Sequence, residues 1–130
     1  MAEDRTARLL VVDDEPAVRE ILAAMLTLGG FHVTSVGMGS EAIRLLGERS
    51  FDLVLLDVNM PGASGWQILD HMRTIAPVPA VLMISDERYE AEALRRGVGF
   101  LAKPYRRSAV EETVREMLRT SGVLSEEGAA

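Results

Sequence analysis

Short runs of apolar residues recur along the chain, and each run stops abruptly at polar or charged side chains. The clearest is Leu53–Leu56, an unbroken apolar run that ends at Asp57 and is followed by a turn around Pro61. Runs without polar alternation are typical of strands buried on both faces of a parallel sheet. The pattern predicts strands at residues 8–12, 32–36, 52–56, 80–84 and 97–102.

Between these runs the apolar spacing changes to that of helices packed on one side. After Pro16, apolar residues recur three and four positions apart until Gly29 and Gly30 end the pattern. The predicted buried stripe of this helix comprises Val18, Ile21, Leu22, Met25 and Leu26. Further helices are predicted at residues 40–49, 66–74, 87–96 and 108–120. The spacing of Ser108 and Glu111 predicts a capping box at the start of the last helix.

The alternation of strands and helices indicates the fold class. Parallel neighbours need crossover connections, which are right-handed, so this alternation favours an α/β doubly wound five-stranded parallel sheet with five helices. The flavodoxin-like strand order 2-1-3-4-5 places the first and third strands side by side at the switch point. We predict one domain at residues 1–120 and a flexible tail at residues 121–130, because the tail is small, polar and without periodicity.

Composition narrows the classes of function. The chain has 130 residues, 48% of them hydrophobic, which is enough for one compact core. Its net charge of −6 argues against a nucleic-acid partner, because such binding draws on clustered Lys and Arg. Cysteine is absent, and no apolar run approaches the roughly 18 residues of a membrane span, so we expect no thiolate chemistry and no membrane insertion. A cytoplasmic protein with a protein partner is expected.

Polar side chains collect where the predicted strands end. Asp13 and Asp14 follow the first strand, Asp57 follows the third, and parallel strands share one crevice at their carboxyl ends. Carboxylates about 4 Å apart repel by about 4 kcal/mol per pair at an effective dielectric near 20, so a cation must balance them. Mg²⁺ is expected, because it prefers carboxylates together with water and phosphate. With Ser85 and Lys103 ending the next two strands, the set predicts phosphoryl chemistry.

This constellation resembles the receiver domain of two-component response regulators, similar to the stand-alone chemotaxis type, over roughly residues 8–120. The resemblance implies a signalling protein rather than an enzyme, phosphorylated by a histidine kinase or histidine phosphotransfer protein and acting on a downstream target protein as a monomer or weak dimer. The implied roles are phospho-acceptor for Asp57, phosphoryl contacts for Ser85 and Lys103, and Mg²⁺ ligands for Asp13 (mostly through a water), Asp14, Asp57 and the Asn59 main-chain carbonyl.

The resemblance also implies a switch and a cis peptide bond between Lys103 and Pro104. Ser85 takes the place of the family's switch hydroxyl, and Phe100 takes the place of its switch aromatic, although Phe100 is equally compatible with a plain core position. Three features depart from the family pattern. Asp86 replaces a small residue after Ser85, the segment from Ser85 to Lys103 is about one helical turn short, and a glycine precedes Phe100. These departures concern the switching output rather than the phosphorylation chemistry.

Asp86 and the remaining aromatic and basic residues are interpreted structurally. Asp86 is expected to cap a helix that starts at residue 87, in preference to acting directly on the phosphoryl group. We expect Trp66 and Tyr89 to be packing residues and His71 to be exposed. The pairs Arg95-Arg96 and Arg106-Arg107 are expected to be solvated.

Two other functions remain open. A phosphorylation-independent interaction domain would keep the receiver fold, with the acidic site as a relic. A Mg²⁺ phosphohydrolase with an aspartyl-phosphate intermediate would use similar chemistry. Such enzymes, however, carry a second Asp two residues after the nucleophile, where this chain has Asn59, and they enclose the substrate with a cap domain that we do not find in the sequence.

Overall fold

The computed structural model describes residues 6–75 and 78–124, in which strands and helices alternate. The strands are β1 (Arg8–Val12), β2 (His32–Val36), β3 (Leu53–Leu56), β4 (Ala80–Ser85) and β5 (Gly99–Ala102). The α-helices are α1 (Pro16–Leu28), α2 (Gly39–Glu48), α3 (Gly65–Met72), α4 (Glu90–Arg95) and α5 (Arg107–Thr120), and a short 3₁₀ helix (Glu87–Tyr89) precedes α4. No helix in these two described ranges combines the length and the apolar character needed to cross a bilayer.

The strands form one parallel sheet in the order β2-β1-β3-β4-β5. This confirms the predicted flavodoxin-like doubly wound sheet with β1 beside β3. The register pairs Val12 with Leu56, and the main-chain N–H of Asp57 donates to the Val12 carbonyl over 3.2 Å. Asp13 and Asp57 therefore leave the sheet at the same level.

The central strands β1, β3 and β4 are buried on both faces of the sheet, which explains their apolar runs without polar alternation. Successive side chains of a strand point to opposite faces. Toward α2 and α3 lie Leu10, Val12, Val54 and Leu56, and toward α1 and α5 lie Leu9, Val11, Leu53 and Leu55. Burying a leucine fully is worth about 1.5–3 kcal/mol. This packing gives the carboxyl ends of β1 and β3, and the acids that follow them, a rigid base.

One residue of the predicted α1 stripe lies on the surface instead of in the core. Leu22, Met25 and Leu26 are buried as predicted, but Ile21 is 61% exposed. An α-helix turns about 100° per residue, which puts Ile21 at the edge of the stripe, beyond the part that the sheet covers. The prediction for Ile21 is wrong because apolar spacing gives the direction of a buried stripe but not its width.

Two helix starts also differ from the predictions. The capping box predicted at Ser108 is wrong, because α5 begins one residue earlier with Arg106 as its N-cap and Ser108 lies inside the first turn. A capping box occurs at α3 instead. There the Ser64 hydroxyl accepts from the N–H of Gln67 over 3.3 Å, and the Gln67 side chain accepts from the N–H of Ser64 over 2.8 Å. This reciprocal pair is the reason that α3 begins directly after Ser64.

The chain after α5 turns back on the helix. The N–H groups of Val123 and Leu124 donate to the Leu118 carbonyl over 2.9 and 3.2 Å, and both side chains pack against the core beside α1 and α5. Residues 125–130 lie outside the described residues. The domain boundary at residue 120 and the flexible tail at residues 121–130 therefore stay predictions, although residues 121–124 fold against the domain.

Candidate functional site

Three carboxylates meet at the carboxyl ends of β1 and β3. One oxygen from each of Asp13, Asp14 and Asp57 lies within 4.8 Å of the other two. Asp13 and Asp57 are only 3% and 7% exposed, whereas Asp14 is half-buried. Buried carboxylates this close repel one another unless a cation lies among them. Three oxygen donors of this kind fit Mg²⁺, the ion that the sequence predicted.

Lys103 supplies the fixed positive charge of the site. Its ammonium donates to Asp57 Oδ2 over 3.0 Å and to Asp13 Oδ2 over 3.2 Å. Burial lowers the pKa of Lys103, but the hydrogen bonds and charges of Asp57 and Asp13 together raise it by more, so the pKa lies above its ordinary value of 10.5. The side chain therefore stays charged at neutral pH. One ammonium among three carboxylates leaves the cluster negative, which favours a further cation.

The two carboxylate oxygens of Asp57 have different partners. Oδ2 accepts from Lys103, whereas Oδ1 accepts from the Ser85 hydroxyl and from the main-chain N–H of Asn59, each over 3.1 Å. Ser85 is 2% exposed, and the four residues line an open cavity of about 320 Å³ together with Asp14. A cavity of this size, with donors and acids side by side, has room for a phosphoryl group and a small ion.

The structure brings together most of the site residues that the sequence predicted. Those that converge are Asp13, Asp14, Asp57, Asn59, Ser85 and Lys103. Phe100 does not line the cavity; it is half-buried, pairs with Met83 in the sheet register and packs against the core. The peptide bond between Lys103 and Pro104 is cis, as the resemblance implied. The individual roles of these residues remain predictions.

Gly65 lets α3 approach the backbone of Asp57. Its N–H donates to the carbonyl of Val58 over 2.9 Å, and a Cβ at this position would lie 2.3 Å from the main-chain oxygen of Asp57. Any larger residue at position 65 would therefore displace either the helix or the acid. Sequence reasoning placed Gly65 in a loop and missed this role, because the contact arises only after β3 and α3 have packed.

The loop after β1 is held in place from α1, a second feature that sequence reasoning missed. The N–H of Glu15 donates to Asp13 Oδ1 over 3.0 Å, and the guanidinium of Arg19 donates to the main-chain oxygen of Asp13 over 2.8 Å. A Cβ at position 37 would lie 2.6 Å from Arg19 Nη1, so Gly37 leaves room for the guanidinium. Arg19 and Gly37 together stabilise the position of Asp13.

The aromatic residues beside the site make polar contacts as well as packing contacts. Trp66 and Tyr89 pack edge to face with ring centroids 6.3 Å apart, as expected, and the Tyr89 hydroxyl also donates to Asn59 Oδ1 over 3.2 Å. The Arg96 guanidinium lies 4.8 Å from the Trp66 ring centre and bonds Asp70 over 3.2 Å. The expectation that Arg96 is solvated is wrong. These contacts hold α4 and the 3₁₀ helix against α3.

Asp86 forms the predicted cap. Its side chain accepts from the N–H of Arg88 over 2.9 Å, and the helix that it caps begins at residue 87. The segment that Asp86 caps is the 3₁₀ helix, and α4 follows it directly. The shortened connection leaves only Asp86 between the end of β4 and the start of this 3₁₀ helix. Asp86 also lines the site cavity. One variant can therefore test both roles considered for it, the helix cap and a direct effect on the phosphoryl group.

Asp86→Ala is expected to destabilise the domain without improving phosphoryl binding. Losing an N-cap costs about 1 kcal/mol, which lowers the melting temperature by about 3–6 °C. Thermal melting and titration with beryllofluoride, a phosphoryl mimic, measure the two effects. Glu87→Ala is the matched control, because Glu87 is a neighbouring exposed acid that does not make the cap. Mimic binding about tenfold tighter at unchanged stability would instead identify Asp86 as an electrostatic brake.

Comparison with known proteins identifies the family of this chain. A family model for the response regulator receiver domain matches residues 9–115. The response regulator protein FleR of Pseudomonas aeruginosa is 38% identical over 83% of this chain. The chain spans only 24% of the length of FleR. It spans 22% and 38% of the lengths of two other curated relatives that it matches.

Solved structures show the same fold. A chemotaxis response regulator of Vibrio cholerae matches with a TM-score of 0.81 and 27% identity, covering 88% of this chain and 100% of that one. The response regulator protein TrrA of Thermotoga maritima, in complex with Mg²⁺-BeF, matches with a TM-score of 0.80 and 28% identity, covering 87% of this chain and 100% of that one. The chain belongs to the response regulator receiver family.

Proposed function

We propose that this chain is a cytoplasmic phospho-accepting receiver in which Asp57 takes a phosphoryl group from a histidine kinase or histidine phosphotransfer protein. The observation that carries the proposal is the buried Asp57 carboxylate, whose oxygens accept from Ser85, Lys103 and the Asn59 N–H in an open cavity. The fold does not need a buried acid cluster after β1 and β3. Such a cluster is therefore better explained by chemistry than by stability.

The proposed step is a phosphoryl transfer to Asp57. A carboxylate oxygen of Asp57 forms a bond to phosphorus while the bond from phosphorus to the donor imidazole nitrogen breaks, and the electron pair stays on that nitrogen. The Lys103 ammonium and the Ser85 hydroxyl, which already donate to Asp57, are within reach of the oxygens of the incoming group. Their hydrogen bonds reduce the repulsion between two anions. The product is an acyl phosphate.

Mg²⁺ is the proposed cofactor of this step. The carboxylates of Asp13, Asp14 and Asp57 would hold it, with the main-chain carbonyl of Asn59 as a further ligand. When bound, the ion supplies positive charge that neutralises the phosphoryl oxygens. The excess of carboxylates over ammonium groups in the cluster supports this assignment.

The signal is proposed to pass to a downstream protein through a switch of Ser85 and Phe100. Phosphoryl oxygens on Asp57 would draw the Ser85 hydroxyl toward them, and the space released would let Phe100 turn inward. The net charge of −6 argues against nucleic acid as a direct partner, and we propose a monomer or weak dimer. Phosphorylation would act by shifting a two-state equilibrium rather than by catalysing turnover of a substrate.

The two alternative functions, an interaction domain and a phosphohydrolase, predict different experimental results. A phosphorylation-independent interaction domain would not require Ser85 and Lys103 to stay hydrogen-bonded to Asp57, so the intact set favours the phospho-accepting function. A phosphohydrolase would release phosphate continuously from added phosphate esters. Incubating the chain with acetyl phosphate and Mg²⁺ and measuring its intact mass tests the first alternative, and steady-state phosphate release tests the second.

Lys103→Ala is expected to slow phosphorylation at least about tenfold while Mg²⁺ affinity stays equal or increases. The ammonium helps to neutralise the incoming group, but it also competes with the metal for Asp13 and Asp57. Intact-mass time courses measure the first effect, and calorimetric Mg²⁺ titration measures the second. Arg107→Ala, which removes an exposed cation on α5, is the control and should change neither. Loss of Mg²⁺ affinity in the Lys103 variant contradicts this charge balance.

A further inference from the structure

Tyr89 lies one hydrogen bond away from the residue that flanks the acceptor. Its hydroxyl donates to the side-chain oxygen of Asn59 over 3.2 Å, and the main-chain N–H of Asn59 in turn donates to Asp57 Oδ1 over 3.1 Å. Asn59 lines the cavity and is itself exposed, so its side chain stands at the opening of the site. The contact links the 3₁₀ helix before α4 to the loop after β3.

The tyrosine ring is held in place independently of that hydrogen bond. It packs edge to face on Trp66, at a centroid distance of 6.3 Å and an interplanar angle of 70°, and the Arg88 guanidinium lies 5.0 Å from its centre. Trp66 is in turn covered by Arg96, whose guanidinium lies 4.8 Å from the indole ring centre. Removing the hydroxyl alone is therefore expected to leave the position of the ring intact.

Hydrolysis of an acyl phosphate on Asp57 would need water on the open side of the cavity. The water oxygen bonds to phosphorus, the bond from phosphorus to the Asp57 oxygen breaks, and the carboxylate leaves with the electron pair. The water proton passes to a hydrogen-bond acceptor and then to solvent, and inorganic phosphate is released. In-line attack places this water opposite Asp57, toward the opening where Asn59 stands. A free carboxamide oxygen there could accept from the water and orient it.

We propose that Tyr89 is a positioning residue that prolongs the lifetime of the phosphoryl group on Asp57. Its hydroxyl engages the side-chain oxygen of Asn59, turns that oxygen toward the 3₁₀ helix and keeps it from orienting an attacking water. The proposal rests on the proposed function of Asp57 as a phospho-acceptor. Tyr89 would then set the lifetime of the phosphoryl group in addition to packing against Trp66.

The test is the decay of the phosphorylated chain. The protein is phosphorylated with acetyl phosphate and Mg²⁺, the donor is removed, and the phosphorylated fraction is followed by intact mass. Tyr89→Phe keeps the ring on Trp66 and removes only the hydroxyl, so decay should accelerate about two- to tenfold, the range that one neutral hydrogen bond is worth. Tyr105→Phe removes the hydroxyl of the chain's other tyrosine and should decay at the original rate.

A double-mutant cycle shows whether the effect passes through Asn59. In an Asn59→Ala background, Tyr89→Phe should leave the decay rate unchanged, because the oxygen that the hydroxyl engages is gone. Mg²⁺ affinity of Tyr89→Phe, measured by calorimetry, should stay within about twofold of the unsubstituted chain, since a single neutral hydrogen bond outside the carboxylate set is lost. This readout separates positioning of Asn59 from a change in the metal site.

The outcomes distinguish this inference from the proposed function. An unsubstituted chain that takes up no phosphoryl group overturns both. A chain that is phosphorylated but decays equally fast or more slowly in Tyr89→Phe overturns the role of Tyr89 alone. An equal acceleration in Tyr105→Phe, an acceleration that persists without the Asn59 side chain, or a loss of Mg²⁺ affinity overturns it as well.

Discussion

Asp57→Asn is expected to abolish phosphorylation, with no mass increase after prolonged incubation with acetyl phosphate and Mg²⁺. The substitution keeps the shape of the side chain and an oxygen that can accept from Ser85 and from the Asn59 N–H. It removes the anionic oxygen that would bond to phosphorus, and a carboxamide does not replace a carboxylate as a nucleophile. The expected effect is total loss rather than a slower rate.

Asp70→Asn provides the matched control for this variant. Asp70 is an exposed aspartate on α3 that bonds Arg96 and lies outside the acidic cluster, so its variant should be phosphorylated as the unsubstituted chain is. Thermal melting verifies that both variants are folded. Stoichiometric labelling of a folded Asp57→Asn protein would falsify the assignment of Asp57 as acceptor.

Gly65→Ala is expected to damage both the stability of the domain and the site. A methyl group there would lie 2.3 Å from the Asp57 main-chain oxygen and 2.9 Å from Val58 Cα, distances that require the backbone to move. Overpacking of this kind costs about 1–3 kcal/mol, or more where only backbone can yield. Displacement of a reacting group by about 1 Å can slow chemistry about a hundredfold. We expect a loss of about 3 kcal/mol in unfolding free energy and at least tenfold slower phosphorylation.

Gly47→Ala is the control that separates this close approach from the general effect of alanine in a helix. Gly47 lies in α2, and apart from its own neighbouring stretch of helix no described atom comes within 4 Å of a Cβ built there. Alanine is favoured over glycine inside a helix by about 0.5–1 kcal/mol, so this variant should be slightly more stable and phosphorylated normally. Urea unfolding and intact-mass time courses measure both variants. A Gly65→Ala protein as stable and as reactive as Gly47→Ala would show that the close approach at Gly65 is unimportant.

The fold and the acid cluster could be predicted because their signals are local. Burial on two faces gives unbroken apolar runs, and each run ends where the chain leaves the sheet. The topology of parallel sheets then brings the ends of β1 and β3 together, which places Asp13, Asp14 and Asp57 close to one another without any knowledge of side-chain positions. The exposure of Ile21, which the apolar spacing placed in the buried stripe of α1, shows the limit of this reasoning.

The parts that could not be predicted depend on contacts between elements far apart in the chain. Gly65 matters because α3 passes over the Asp57 backbone, and Tyr89 matters because the 3₁₀ helix lies beside Asn59. Neither residue belongs to an apolar repeat of a strand or a helix, which is the signal that sequence periodicity detects. Lys103, which was predicted from its place at a strand end, carries a second signal in the sequence: it is the chain's only lysine, and the other side chains counted with it as Lys or Arg are all arginine. A lone lysine at a strand end suggests selection for a compact ammonium.

Phosphorylation at Asp57 is tested most directly by the intact mass of the unsubstituted chain after incubation with acetyl phosphate, once with Mg²⁺ and once with a chelator. We predict the mass of a single added phosphoryl group with Mg²⁺, mapped to the peptide that contains Asp57, and little or none with the chelator. An unchanged mass in the presence of Mg²⁺, or a stable phosphoryl group on any other residue, would contradict the proposed function.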